Sequence, residues 1–214
     1  MTLAFSLLAV VWVVRRNCFV RFGFSGCTVL PVSSGYFKVK FHSKLRKLQM
    51  EFADKLKVEV LNLDVHKEGF CRILLDLHKH YYSNSKLDGA RASLFFDDVM
   101  RKNLEKFNVY VCIDSANDVL GFAACYESIS FVELQSDKTI QLQLKELFVR
   151  KDFRSMGVGG LLMQRVLDEA RHSGCYRVDW NVRDWNVKGI NFYKKLGAKF
   201  VEDRLSMRID LDGV

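Results

Sequence analysis

Residues 142–197 constrain the fold more than any other part of this chain. Leu142 and Leu144 alternate with Gln143 and Lys145, the pattern of a half-buried strand. The chain then passes through Arg154-Ser155-Met156-Gly157-Val158-Gly159 into a segment with Val158, Leu161, Leu162, Val166 and Ala170 on one helical face. A strand that turns through glycines into an amphipathic helix has to bury both apolar faces against each other, which demands a layered α/β domain. Gly174 stops the helix. Tyr176, Val178, Trp180 and Val182 then alternate as a strand. Asn186 is placed to cap a further helix carrying Ile190 and Tyr193, closed by Gly197.

The chain on either side extends the pattern. Val58 to Leu63 reads as a short strand, and Asp64 as the cap of a helix with Phe70, Ile73, Leu74, Leu77 and Tyr81 on one face. Residues 83–89 are a loop by composition, and Ser93 is expected to cap a second helix running to Leu104. Val109–Ile113 and Val119–Phe131 read as a hairpin around Ser115-Ala116-Asn117-Asp118. A turn at Gln135–Lys138 leads into the strand Thr139–Val149. Leu205, Met207 and Ile209 alternate as a final strand. The expected order is β-α-α-β-β-β-α-β-α-β, a mixed α/β domain over residues 58–210.

The net charge of +8 belongs to one end of the chain. Residues 1–50 hold eight Lys or Arg and no acid, while the remaining 164 residues hold 25 of each sign. A neutral domain exerts little long-range pull on polyanions, so nucleic acid is not an expected partner. The apolar run Thr2–Val14 is shorter than the ~20 residues of a membrane span. Its arginines follow the run, where a secretory signal carries them first. It is poorly amphipathic for a mitochondrial transit peptide. Met50 is an alternative start, because Glu51 is the first acid. The default expectation is a cytoplasmic protein, mitochondrial or membrane-anchored if residues 1–49 are a genuine leader. Cys18, Cys27, Cys71, Cys112, Cys125 and Cys175 show no metal-ligand spacing and read as reduced thiols of an intracellular protein.

A glycine turn opening a helix can cradle phosphate on its backbone N–H groups. A P-loop is unlike this one, since Gly160-Leu161 stands where Lys-Ser/Thr belongs. A dinucleotide fingerprint is also unlike it, since Leu162 takes the place of the third glycine. An acyl-CoA loop remains. The stretch L-K-E-L-F-V-R-K-D-F-R-S-M-G-V-G-G-L-L-M, residues 144–163, resembles the acetyl-CoA motif of the GCN5-related N-acetyltransferase (GNAT) superfamily. The stretch D-W-N-V-K-G-I-N-F-Y-K-K-L-G-A, residues 184–198, resembles its following motif in the form found in diamine (spermidine/spermine) and thialysine acetyltransferases.

The resemblance implies a GNAT fold, a mostly antiparallel sheet flanked by helices, with acetyl-CoA as co-substrate and no metal. It implies that Leu147, Phe148 and Val149 meet the pantetheine arm and that Arg154, Ser155, Met156, Gly157, Val158, Gly159 and Gly160 hold the pyrophosphate. Asn186, Lys188 and Gly189 match a second cofactor-contacting stretch. Tyr193 falls on the family's general acid, against the plainer reading of a packed helix aromatic. Glu146 is the candidate base, against the plainer reading of a solvated strand residue. Lys145 departs from the diamine branch, which has an acid there, and this weakens polyamine recognition. The acceptor side is expected from residues 78–91, with His78 and His80 at its rim and Asp97 and Asp98 as solvated acids. The implied acceptor is the primary amine of a small molecule, polyamine or lysine-like. The alternatives are a protein N-terminal or lysine acetyltransferase and a non-catalytic CoA-binding regulatory module. Homodimers are common in the superfamily.

Overall fold

The computed structural model describes residues 51–84, 86–132 and 138–211, together with the backbone of Phe19–Gly23 and Gly26–Leu30. The apolar run at 2–14 and most of the turn expected at 135–138 lie outside these residues. Strands β1 (Phe19–Gly23) and β2 (Gly26–Leu30) pair antiparallel, an element the sequence reading did not anticipate. Among the described residues, no helix is long and apolar enough to cross a membrane.

The chain divides into two compact units, residues 1–179 and 180–214. The first unit is built on a five-stranded sheet in the order β3 (Lys57–Val60), β4 (Asn108–Ile113), β5 (Val119–Ile129), β6 (Ile140–Val149), β7 (Val178–Asp179). All pairs are antiparallel except β6–β7. Helix α1 (Lys67–Tyr81) and helix α2 (Gly89–Phe95) pack on one face. Their core joins Phe70, Ile73 and Phe96 to Val109, Val111, Phe122 and Phe148. Phe70 meets Phe96 and Phe122 edge-on, at 5.9 and 5.0 Å between centroids. Helix α3 (Val158–His172) covers the opposite face with Val158, Leu162, Met163, Val166 and Ala170. Gly121 lets it come close: a Cβ there would lie 2.9 Å from both the Phe148 carbonyl oxygen and a Val158 methyl.

One irregularity decides which face each β6 side chain serves. Ala124 pairs with Glu146 and Cys125 with Leu144, so Lys145 is an extra residue, a β-bulge. Strict alternation would put Glu146 on the face of Leu142 and Leu144. The bulge shifts the phase, and Glu146 joins Phe122, Ala124 and Phe148 on the face covered by α1 and α2. Lys145 itself is exposed.

Several local expectations are corrected. Asp64 does not cap α1. Asn62 Oδ1 accepts from the N–H groups of Asp64 and Val65, and the cap position is His66. His66 is buried, with Nδ1 accepting from the Asn62 N–H at 3.0 Å. Its Nε2 lies 3.0 Å from Glu59 but off the line of a hydrogen bond. Ser93 lies inside α2, which starts at Asp88 because that carboxylate accepts from the Arg91 N–H at 3.0 Å. Helical structure continues through a π-turn at Phe96–Met100 to Lys106. The strand expected over 176–182 shortens to β7, whose ladder with β6 holds only Leu142–Val178 and Gln143–Asp179. Cys71, Cys112 and Cys125 are buried free thiols as expected, and Cys175 is half-buried.

The second unit carries helix α4 (Val187–Lys195). Asn186 caps it as expected, its Oδ1 accepting from Gly189 N–H at 3.0 Å. Gly197 takes φ +89° just after its end. The final strand does not form. Leu205, Met207 and Ile209 are 94, 94 and 83% exposed, without a ladder partner among the described residues. An alternating pattern makes a strand only where a neighbour accepts its hydrogen bonds.

Candidate active site

The glycine turn stands where β6 runs into α3. Gly157 has φ +93°, a left-handed conformation that favours glycine, and it occupies the N-cap of α3 with no side-chain cap. The N–H groups of the first helical turn have no partners within the helix and point outward at its positive end. The first bond closing back onto the turn is Leu161 N–H to the Gly157 carbonyl, 3.1 Å. Among the described residues, the space around these groups is open. A Cβ at Gly157 would meet only Ala53, at 3.8 Å, and one at Gly160 would meet nothing within 4 Å. An uncapped, unobstructed helix start fits a pyrophosphate. Ser155 also has positive φ, 66°, which the sequence did not announce. Strain of this kind gathers at ligand clamps.

Arg154 fastens the loop to the strand. Its Nε donates to the Val149 carbonyl at 2.9 Å, and its guanidinium lies 5.4 Å from the centre of the Phe148 ring. Leu147, Phe148 and Val149 pair with Ala123, Phe122 and Gly121, so the strand end is held by β5. Arg150, just beyond, is neutralised by Asp118 at 2.8 Å and Asp76 at 3.3 Å. It therefore anchors the loop root and is not a free cation.

On the other face, Glu146 lies at a cavity of about 310 Å³ between α1 and α2, walled by Leu74, Leu77, Leu87 and Phe95 with Tyr81 and Tyr82 at its rim. Glu146 is half-buried. Loss of water raises its pKa above the ordinary glutamate range, against the opposing pull of Lys145, the Leu147 N–H and the Tyr81 hydroxyl. Shifts of this kind gather at functional sites, which makes Glu146 the candidate base. The expected acceptor segment is thus brought together with Glu146. His78 lines the cavity and lies 4.8 Å from the Tyr82 ring. His80 lies 5.9 Å from the Phe148 ring, and burial followed by the charge of Arg154 lowers its pKa, favouring neutral imidazole. Asp97 pairs with Lys67, and Asp98 with Lys102 at 3.6 Å. Among the described residues, no cluster of His, Cys, Asp or Glu could hold a metal ion.

In the second unit Tyr193 is half-buried on α4, 4.9 Å from the Trp180 ring and 5.2 Å from Phe192. Lys188 is exposed. At Gly189 a Cβ would fall 2.5 Å from Asn186 Nδ2, so this glycine is required by the cap itself.

The sequence and the fold that carry this geometry have counterparts among known proteins. The family model described as "Acetyltransferase (GNAT) family" matches residues 71–198, more than half of the chain. The chain belongs to this family. An L-ornithine N5-acetyltransferase of Arabidopsis thaliana is 38% identical over 96 residues, 43% of this chain and 40% of the relative. A thialysine N-epsilon-acetyltransferase of Sus scrofa is 33% identical over 58 residues, 27% of this chain and 34% of the relative. A tyramine N-feruloyltransferase of Nicotiana tabacum is 29% identical over 138 residues, 61% of this chain and 59% of the relative. The matched part is thus well under two thirds of each relative's length. An integron cassette protein of V. cholerae shares the fold with a TM-score of 0.66 at 21% identity, over 74% of this chain and 94% of that one. A Trypanosoma brucei acetyltransferase does so with a TM-score of 0.52 at 23% identity, over 73% and 99%. The expected fold class, a mixed α/β GNAT domain, is the one observed.

Two positions that shape the candidate site escaped the sequence reading. Gly121 is one, although a glycine inside a strand signals close backbone approach. Tyr81 is the other: it falls within the expected acceptor segment 78–91, but its hydrogen bond to Glu146 was not foreseen. Nothing local in the sequence joins it to Glu146.

Proposed function

We propose that this protein transfers the acetyl group of acetyl-CoA to the primary amine of a small molecule. The observation that carries this reading is Glu146, a carboxyl with raised pKa at the α1–α2 cavity, three residues before the end of the strand that leads to the glycine turn. The acceptors named for the relatives, ornithine, thialysine and tyramine, each present a primary amine on an alkyl chain. In our reading the backbone of Gly157–Gly160 and Ser155 holds the pyrophosphate, and the end of β6 holds the pantetheine arm. The bound thioester supplies an activated acetyl carbonyl. Glu146 takes a proton from the acceptor ammonium, freeing the nitrogen lone pair. Tyr193 gives a proton to the departing thiolate, as the family resemblance implies. An ammonium loses two protons on becoming an amide: one leaves through Glu146 and the other is balanced on the thiol. A poised base speaks against a purely regulatory CoA-binding module.

The test is release of free CoA thiol from acetyl-CoA by the full chain across a panel of alkyl amines. Amine-dependent release that falls at least about tenfold in Tyr193→Phe with acetyl-CoA affinity retained supports the reading. Cofactor binding with no amine raising release above hydrolysis ends it.

A further inference from the structure

The cavity that holds Glu146 says more about the acceptor than the motifs do. Its walls are Leu74, Leu77, Leu87 and Phe95, with the rings of Tyr81 and Tyr82 at the mouth. Among the described residues that line it, Glu146 is the only carboxylate. None of the other acids on and beside the two helices is among the residues that line it. Asp76 faces Arg150, Asp88 caps α2, Asp97 holds Lys67, and Asp98 holds Lys102. A cation also lines the cavity. The Arg91 side chain has no carboxylate partner among the described residues, and it is the backbone N–H of Arg91 that donates to Asp88. The volume, about 310 Å³, is at the small end of ligand sites.

Resting on the acetyl-transfer reading above, we propose that the acceptor is a monoamine with an apolar, aromatic-sized body, an arylalkylamine, and that polyamines and lysine are excluded. One carboxylate matches one ammonium. A second ammonium would enter apolar walls beside Arg91 with nothing to neutralise it, and an unpaired charge in such surroundings is strongly disfavoured. An apolar body instead gains by displacing water from leucine and phenylalanine surface. Tyr81, Tyr82 and Phe95 present ring faces for an aromatic group and for the cation beside it. The same walls assist the chemistry. They desolvate the ammonium and lower its pKa while raising that of the carboxyl, which brings the two into range for proton transfer.

The experiment compares kcat/KM for 2-phenylethylamine, spermidine and L-lysine in the full chain with acetyl-CoA, before and after Arg91→Glu. Arg91 is exposed at the third position of α2, where an acid suits the helix start beside Asp88, so the variant folds. The expected result is at least about a tenfold preference for 2-phenylethylamine over both polar amines in the parent. In Arg91→Glu, the ratio should shift toward spermidine by about tenfold, with an unchanged melting temperature. Spermidine or lysine used as well as 2-phenylethylamine by the parent overturns the inference while leaving acetyl transfer intact. A ratio unmoved by the charge reversal overturns the role given to the cavity. Thiol release that none of the three amines raises above hydrolysis overturns acetyl transfer, and the inference with it.

Discussion

The two faces of the sheet prepare their ligands by different means. The α3 face ends in a loop that local sequence specifies: a strand, an arginine, two glycines and a helix start, all within twenty residues. The α1–α2 face is assembled from parts far apart in the chain, with Glu146 from β6, Tyr81 from the end of α1, and Arg91 and Phe95 from α2. The first is mostly backbone, so its chemistry tolerates side-chain change except where a Cβ or positive φ is at stake. The second is entirely side chains, so its ligand preference can be rewritten by single substitutions.

The contrast breaks most severely at Gly157. Gly157→Asp forces a non-glycine residue to φ +93° and puts a negative charge at the phosphate cradle. Acetyl-CoA binding should weaken by about a thousandfold, from ~1–3 kcal/mol of backbone strain plus like-charge repulsion. Calorimetry reads this directly, and unchanged affinity would remove the cofactor from this loop. Next is Glu146→Gln. It should lower kcat about a hundredfold and leave acetyl-CoA affinity alone, since it touches only the other face. Equal loss of both would mean that the two faces are not separable.

The pH dependence sharpens the same point. A base must be ionised, so kcat/KM should fall as pH drops through the raised pKa of Glu146, and Glu146→Gln should lack that limb. Stability moves the opposite way. A carboxyl whose folded pKa is raised contributes stability below its unfolded pKa and loses it as pH rises through the folded value. Glu146→Gln should therefore melt higher than the parent at pH 7, with the gain vanishing in acid. A lower melting temperature at pH 7 would show that ionised Glu146 is not a cost to the fold. The smallest effect is expected for Tyr81→Phe. Its hydroxyl holds the Glu146 pKa down, so its loss should move the acid limb to higher pH, with a few-fold loss of activity at neutral pH. A limb that stays in place would detach Tyr81 from the site.

Much of this was legible in the sequence. The glycine turn, the Asn186 cap and the Phe70–Ile73 face of α1 rest on contacts a few residues apart, and each formed as the local pattern required. The final strand did not form, because alternation at 205–209 specifies a surface and not a partner. Asp64 and Ser93 were plausible caps by residue type, but Asn62, His66 and Asp88 hold the geometry. Capping depends on which oxygen reaches a free N–H, and residue type only lists the contestants.

The sequence by itself determined the layered α/β fold, the family and the uncapped glycine loop to which we assign the pyrophosphate, because these follow from periodicity and from glycine at positions that admit no Cβ or need positive φ. Tertiary structure decided the acceptor side. The extra residue at Lys145 shifts the phase of β6, and only pairing with β5 reveals that Glu146 faces α1 and α2 instead of α3. Its raised pKa follows from that placement, since desolvation is a property of what surrounds a side chain in space and not of its neighbours in the chain.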